Sequence, residues 1–510
     1  MAIDLYPVMG TKLQTEDYEV RMNGKPVKLD TARVSAVPFN RRWPGHQRGL
    51  EQTELVNFLS FAMDEEVYFE IKPLKHFEKV TIRPQSLGVE PNIKEDGTIC
   101  FSLSEPSYFT VEPYGRHHAL HIFADPIRDY QVDFNANDVI YFGAGEHHVG
   151  EIVLESNQTL FLDEGAVVYA CIKAIDAENI KILGRGILDN SENKEQILFE
   201  ISAENNDMAV DNARREHTIQ LEYCTNIEID GITIRDSLVY NVRPIGCENL
   251  TIKNVKIIGC WRYNSDGIDM HNCVNVLIDS CFLRVFDDAI CIKGFDCYYE
   301  GDVEQAVHEA MYRNGKSYDV FKNTLVRNCV IWNDWGKGLE IGAETRAEEI
   351  CNITFENCDI IHVLFSPMDC YNVDYADVHD ITYCNISAEY DDCIPCPMLQ
   401  NNDQESYVCE NTQFSPLLIA VLVDYHPEYS AGGERRGRCR NFTFKNIHLY
   451  GSYAPRIGFC GYDENHKVEN VVVDNVYWNG KLLLEFEEGS FDVVKFAENI
   501  YYQVSERTEL

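Results

Sequence analysis

Two neighbouring segments, NSDGIDM at 264–270 and FDDAICIKG at 286–294, set four aspartates beside short apolar runs. Asp266 and Asp269 lie in the first and the pair Asp287–Asp288 in the second, with 21 positions from Asp266 to Asp287. Carboxylates held close together repel and raise one another's pKa, so a cluster divides into protonated and ionised members. A carboxyl that protonates a leaving oxygen, beside a carboxylate that activates water or attacks the sugar, is the pair that hydrolysis of a glycosidic bond requires. A calcium site and a solvated acidic edge are the competing readings of the same residues.

Positioning these acids falls to a repeat. The pattern of Asn or Asp, apolar, any, apolar, any, small or polar, apolar, any, apolar starts at Asn179, Asn226, Asn249, Asn275, Asn323, Asn352, Asp380, Asn441 and Asn470. Apolar residues alternate within each copy, which is strand periodicity, and a Gly or Asn marks a bend in the middle. The usual step is 23 to 29 residues, and the steps of 47, 48 and 61 are doubled coils or insertions. Two strands per copy and a third between copies make one coil of a right-handed parallel β-helix, with coils stacked at about 4.8 Å. The leading asparagines are expected to form a ladder at a turn, where Asn tolerates left-handed geometry. Cys281, Cys329 and Cys358 share one slot of three copies and read as inward-packing thiols. An LxxLxL frame or a GH…WD period is absent, which argues against leucine-rich and propeller repeats.

In such a coil the residue above another lies one coil later. Aligning Ile268 and Met270 with Ile290 and Ile292, and then with Leu339 and Ile341, puts Asp266, Asp288 and Lys337 in one column and Asp269, Cys291 and Glu340 in the next. Asp287 flanks the first column. The candidate catalytic residues are therefore Asp266, Asp287 and Asp288. Lys337, Trp335, Glu340, Glu344 and Asp369 fall on the same predicted face as candidate substrate contacts, as do Asp269, Asn264 and Lys293. Arg262, between Trp261 and Tyr263, has the planar cation and aromatic neighbours that suit a sugar ring.

At 510 residues the chain exceeds one ordinary core, and two domains are expected. Residues 1–135 read as a small antiparallel β-sandwich of short strands with Asn-Gly, Pro and Asp-Gly turns, with QTELVNFLSFAMD as the one helix-like run that could instead be a strand. Residues 136–510 read as the β-helix catalytic domain, interrupted at 295–322, where a short helix is expected, and at 391–417. No run of eighteen apolar residues and no basic-then-apolar leader is present, so neither a membrane span nor export is expected. The nineteen cysteines are odd in number, and the single CxxC, CIPC at 393–396, has no second pair. They read as reduced thiols of a cytoplasmic protein, with no metal or other cofactor expected. A net charge of −39 repels nucleic acid and long acidic polysaccharide, leaving a neutral or weakly charged oligosaccharide or glycoside as the fitting partner. Oligomeric state is open, a homo-oligomer included.

The run from about 150 to 390, with NSDGIDM, DDAICIKG and GKGLEIGAE, resembles the polygalacturonase-type glycoside hydrolases of family 28, whose motifs are NTDG, an acid pair followed by a lysine-bearing strand, GHG and RIK. A β-sandwich ahead of the β-helix is similar to the dextranase-type relatives. The resemblance implies an inverting hydrolase in which Asp287 is the general acid, Asp266 and Asp288 hold and deprotonate the water, and Lys293 matches the family's lysine. The sequence departs where Lys337 stands for the GHG histidine and where no RIK is found. Those basic residues meet the uronate carboxylate in pectin-cleaving members, so the expected substrate shifts from polygalacturonate to a short oligosaccharide or glycoside attacked from its end. A β-helix lyase using Lys337 or Lys293 as base, and a non-catalytic carbohydrate-binding β-helix, are the alternatives.

Overall fold

The computed structural model describes residues 3–9, 13–36, 53–192, 217–262, 264–295, 311–363, 365–390, 417–427, 429–430, 435–487 and 489–505. From Val139 onward one sheet of 29 strands winds through the molecule, and strands pair in parallel with those of the next coil. Each coil has three strands, so the sheet folds into a parallel β-helix with three faces. The first face carries the repeat strands, such as Glu248–Lys253, Val274–Asp279 and Val320–Arg327. The second carries Lys256–Ile258, Phe282–Val285 and Val330–Asn333. The third carries Val242–Ile245, Ile268–His271, Ile290–Lys293, Leu339–Ala343 and Met368–Asn372.

The expected asparagine ladder is present at the turn into the first face. Asn226 Nδ2 donates to Asn179 Oδ1 at 3.0 Å, and Asn249, Asn275 and Asn323 repeat the contact upward, each at 3.0 Å. All have φ between 56° and 60°, the left-handed region that Asn tolerates. Asn179 meets Asn226, Asn275 meets Asn323, and Asp380 meets Asn441, so the three long steps are insertions within single coils and not doubled coils. Asp380 has no side-chain N–H to give Asn352. It accepts from Asn441 instead, and its other oxygen lies 2.8 Å from His379 Nδ1.

The interior is a continuous stack of Ile, Leu, Val and Cys. Cys281, Cys329 and Cys358 occupy one buried column that Ile386, Ile447 and Val476 continue. The described cysteines are free thiols. Ahead of the helix, a six-stranded and a five-stranded sheet enclose a second core that includes Val20, Phe61, Phe69, Phe101, Phe109 and Ile122. The sandwich is antiparallel except where Leu120–Pro126 runs parallel to Thr53–Met63. That second strand is the helix-like run of the sequence. Its Leu59, Phe61 and Met63 face the sandwich core, while Val56 and Phe58 face the second side of the β-helix with Ile258, Phe282 and Trp332. Of the interruption at 295–322, where a short helix is expected, residues 296–310 lie outside the described residues and Tyr312–Arg313 pairs with Lys316–Ser317 as a hairpin; the CIPC segment also lies outside them, and among the described residues no helix is long and apolar enough to cross a membrane.

Candidate active site

The third face positions the acids as the alignment requires. Ile268 pairs with Ile290 and Ile290 with Leu339, while Asp269 pairs with Cys291, Cys291 with Glu340 and Glu340 with Asp369. The backbone bonds Gly267 N–H to Asp288 O, 2.8 Å, and Ala289 N–H to Lys337 O, 2.9 Å, set Asp266, Asp288 and Lys337 one above another. Ile268, Met270, Ile290 and Ile292 point inward to the apolar stack, so Asp269, which alternates with them, points away from it, while Asp266 and Asp288 stand just ahead of these strands, where the alternation has not begun.

Two ammonium groups organise the carboxyls. Lys293 Nζ lies 2.9 Å from Asp269 Oδ2, 3.4 Å from Glu344 Oε2 and 3.8 Å from Asp266 Oδ2, and 5.2 Å from the ring centre of the buried Tyr240. Lys337 Nζ lies 2.6 Å from Glu340 Oε1 and 2.7 Å from Asp369 Oδ2, and its backbone N–H donates to Asp288 Oδ1 at 2.8 Å. Asp266 is 2% exposed and its Oδ1 has no hydrogen-bond partner among the described residues, whereas Asp288 is partly open. Asp287 is buried and receives the backbone N–H of Asn264, itself a left-handed residue at φ 57°.

These surroundings separate the acids. Burial, followed by the charge of Asp288, pushes the Asp287 carboxyl well above the usual carboxylate range. Burial, then Asp269 and Asp287, does the same to Asp266 against the pull of Lys293. Glu340 is raised by burial and by Asp288. Lys293 and Lys337 are held above the ordinary ammonium value because their carboxylate partners outweigh burial. A site whose buried acids hold their protons more tightly than ordinary carboxyls, beside a partly open acid that accepts a backbone N–H, has the unequal carboxyls that acid–base catalysis uses.

Of the sequence-predicted residues, Asp266, Asp269, Asp287, Asp288, Lys293, Lys337, Glu340, Glu344 and Asp369 come together, and Asn264 joins through its backbone. Arg262 does not. Its guanidinium is bonded to Asp236, donates to Ser237 O at 3.3 Å and lies 4.1 Å from the centre of the Trp261 ring, so it braces the coil before the acids. Trp335 packs edge-on to Phe365, ring centres 5.0 Å apart, and against the apolar interior. Tyr263 lies outside the described residues.

Sequence reasoning missed Tyr240, which heads the column of Asp266, because Asn241 N–H bonds Asp266 O and Val242 pairs with Ile268. It also missed the asparagines that fix the turns. Asn241 Nδ2 donates to Asp266 O at 2.6 Å, and Asn333 Nδ2 bonds Asp287 O and, at 3.2 Å, Lys337 O. Carrying the alignment one coil back would have found Tyr240. Gly336 is required by close approach, since a Cβ there would lie 2.4 Å from Asp288 Oδ1. Among the described residues two groups could hold a metal ion: Asp288, Cys291 and Glu340 in the site, and Glu349, Cys351 and His379 on the first face. In the site group Lys337 already engages Glu340.

Residues 147–395, just under half of the 510, match the family model described as Glycosyl hydrolases family 28. The matched stretch contains the three motifs NSDGIDM, DDAICIKG and GKGLEIGAE. A probable polygalacturonase of Vitis vinifera is 28% identical over 251 residues, covering 43% of this chain and 48% of the relative, so the chain spans about half of that protein's length. Among solved structures, Dex49A from Penicillium minioluteum aligns with a TM-score of 0.62 at 15% identity, covering 98% of this chain and 96% of its own. The Yersinia enterocolitica family 28 exopolygalacturonase aligns at 0.52 and 14% identity, with 98% and 96% covered. At such identities these two likenesses speak for the fold.

Proposed function

We propose that the chain is an inverting, exo-acting glycoside hydrolase that cleaves a bond of a short oligosaccharide or glycoside. Asp287 serves as general acid, and Asp266 and Asp288 hold and deprotonate the water. The observation that carries this reading is the meeting of three carboxyls with unequal surroundings, Asp266 and Asp288 in one column of successive coils and Asp287 beside it. Asp287, with its proton retained by burial and by the charge of Asp288, gives that proton to the glycosidic oxygen as the C–O bond breaks. Water, held by the Asp266–Asp288 pair, attacks the anomeric carbon from the opposite side, and its proton passes to that pair through Asp288, the partly open member. Lys293 tempers the charge that gathers in this buried space.

The departures from GHG and RIK and the net charge of −39 support a short substrate over an acidic polymer. The free buried thiols support a reducing compartment, here the cytoplasm. The lyase alternative needs a neutral lysine as base, and both candidates are stabilised as ammonium ions by their carboxylate partners. A panel of aryl glycosides and short oligosaccharides, run in H₂¹⁸O with the first product followed by NMR, tests the proposal. Water incorporation and an inverted anomeric centre are expected. An unsaturated product without incorporated water overturns it.

A further inference from the structure

We propose that Lys337, Glu340 and Asp369 form a specificity site for an uncharged sugar ring, in which the two carboxyls turn the site away from a uronate. This rests on the hydrolase reading above. Lys337 stands in the column of Asp266 and Asp288, one coil above the acid pair, so a sugar bound across that pair meets it directly. Its ammonium is gripped on both sides, 2.6 Å from Glu340 and 2.7 Å from Asp369, and lies 5.3 Å from the centre of the Tyr371 ring. The two acids are 1% and 5% exposed, and they occupy consecutive rungs of one column, so they hold the cation from within the face.

Charge decides what such a grip can recognise. The linked clusters hold seven carboxyls, Asp266, Asp269, Asp287, Asp288, Glu340, Glu344 and Asp369, against the two ammonium groups of Lys293 and Lys337. A sugar carboxylate reaching Lys337 must displace Glu340 or Asp369, or sit beside them with like charge in a poorly screened space. A hydroxyl meets neither obstacle. It accepts from the ammonium while donating to a carboxylate, and a pair of neighbouring ring hydroxyls repeats that pattern across the Lys337–Glu340–Asp369 row. The clamp is therefore both a binding device for hydroxyls and a barrier to uronates.

The test compares aryl glycosides that differ only at C6, such as galactoside with galacturonide and glucoside with glucuronide, on wild type, Glu340→Gln, Asp369→Asn and the double variant. Wild type is expected to favour the uncharged member of a pair by at least about 100-fold in kcat/KM. The variants should lose activity on it and move the ratio toward the uronate, the double variant most. A wild-type preference for uronates, or a ratio unmoved in folded variants, overturns the inference while leaving the hydrolase reading intact. Should wild type hydrolyse no member of the panel, the hydrolase reading fails, and calorimetric binding of the free sugars decides the specificity. Uncharged sugars binding and uronates not would uphold it, and the reverse order, or no binding of either, would reject it.

Discussion

The asparagine corner and the carboxyl face stack side chains by the same coil-to-coil repeat, with opposite results. At the corner each Asn donates to the one below and accepts from the one above, so a column of identical groups satisfies itself. Carboxylates placed the same way can only accept, so the acids repel, the buried Asp266 is pushed above the usual carboxylate range, and Lys293 and Lys337 are drawn in. Asp380 shows the difference within the ladder itself, where one acid in an amide column leaves Asn352 without its bond from above. Stacking at this spacing thus builds a structural element from amides and a reactive one from acids.

The comparison can be broken from either side. Asp287→Asn should lower kcat by about 10²–10⁴-fold while the thermal midpoint barely moves, since the change removes a proton donor and relieves repulsion. In wild type the raised Asp287 places the alkaline fall of kcat/KM above the ordinary carboxyl range, because activity needs its protonated form and is lost as pH rises through that pKa; a fall centred near pH 4 would contradict the assignment. Lys293→Met should destabilise the fold by about 3–5 kcal/mol, read by urea titration, because Asp269 and Glu344 are left buried without their cation. Gly336→Ala pushes a methyl group against Asp288 and should reduce kcat by roughly 10²-fold in a folded protein. At the corner, Asn249→Ala should cost about 1–2 kcal/mol through two lost hydrogen bonds and a strained φ of 56°, and Asn249→Gly less, with activity unchanged in both. An Asn249 variant that lost activity without losing stability would show that the corner is not merely structural.

Much of this was legible because the apolar residues of a coil fix its register. Ile268, Ile290 and Leu339 could be aligned from sequence, and the acids followed them into columns. Tyr240 escaped because the strand after it reads VRPI, where Arg243 and Pro244 break the alternation. Arg262 was misjudged because its partner, Asp236, is 26 residues away on the coil before. Thr53–Met63 reads as helix-like because both of its faces are buried, one by the sandwich and one by the β-helix, which erases the polar alternation that marks a half-exposed strand. The ladder also replaced the doubled-coil reading of the long steps, which no count of residues alone could decide.

The bond from Asn226 to Asn179 closes a coil whose chain wanders for 47 positions between them, and Asn441 to Asp380 does so across 61. Both excursions leave after the second face and return onto the third, which bears the acids. The corner therefore works as a set of fixed pins, so the chain between the second face and the third can lengthen or shrink without slipping any rung. A lineage built on this plan is free to reshape what surrounds its reactive floor while the floor itself stays in register.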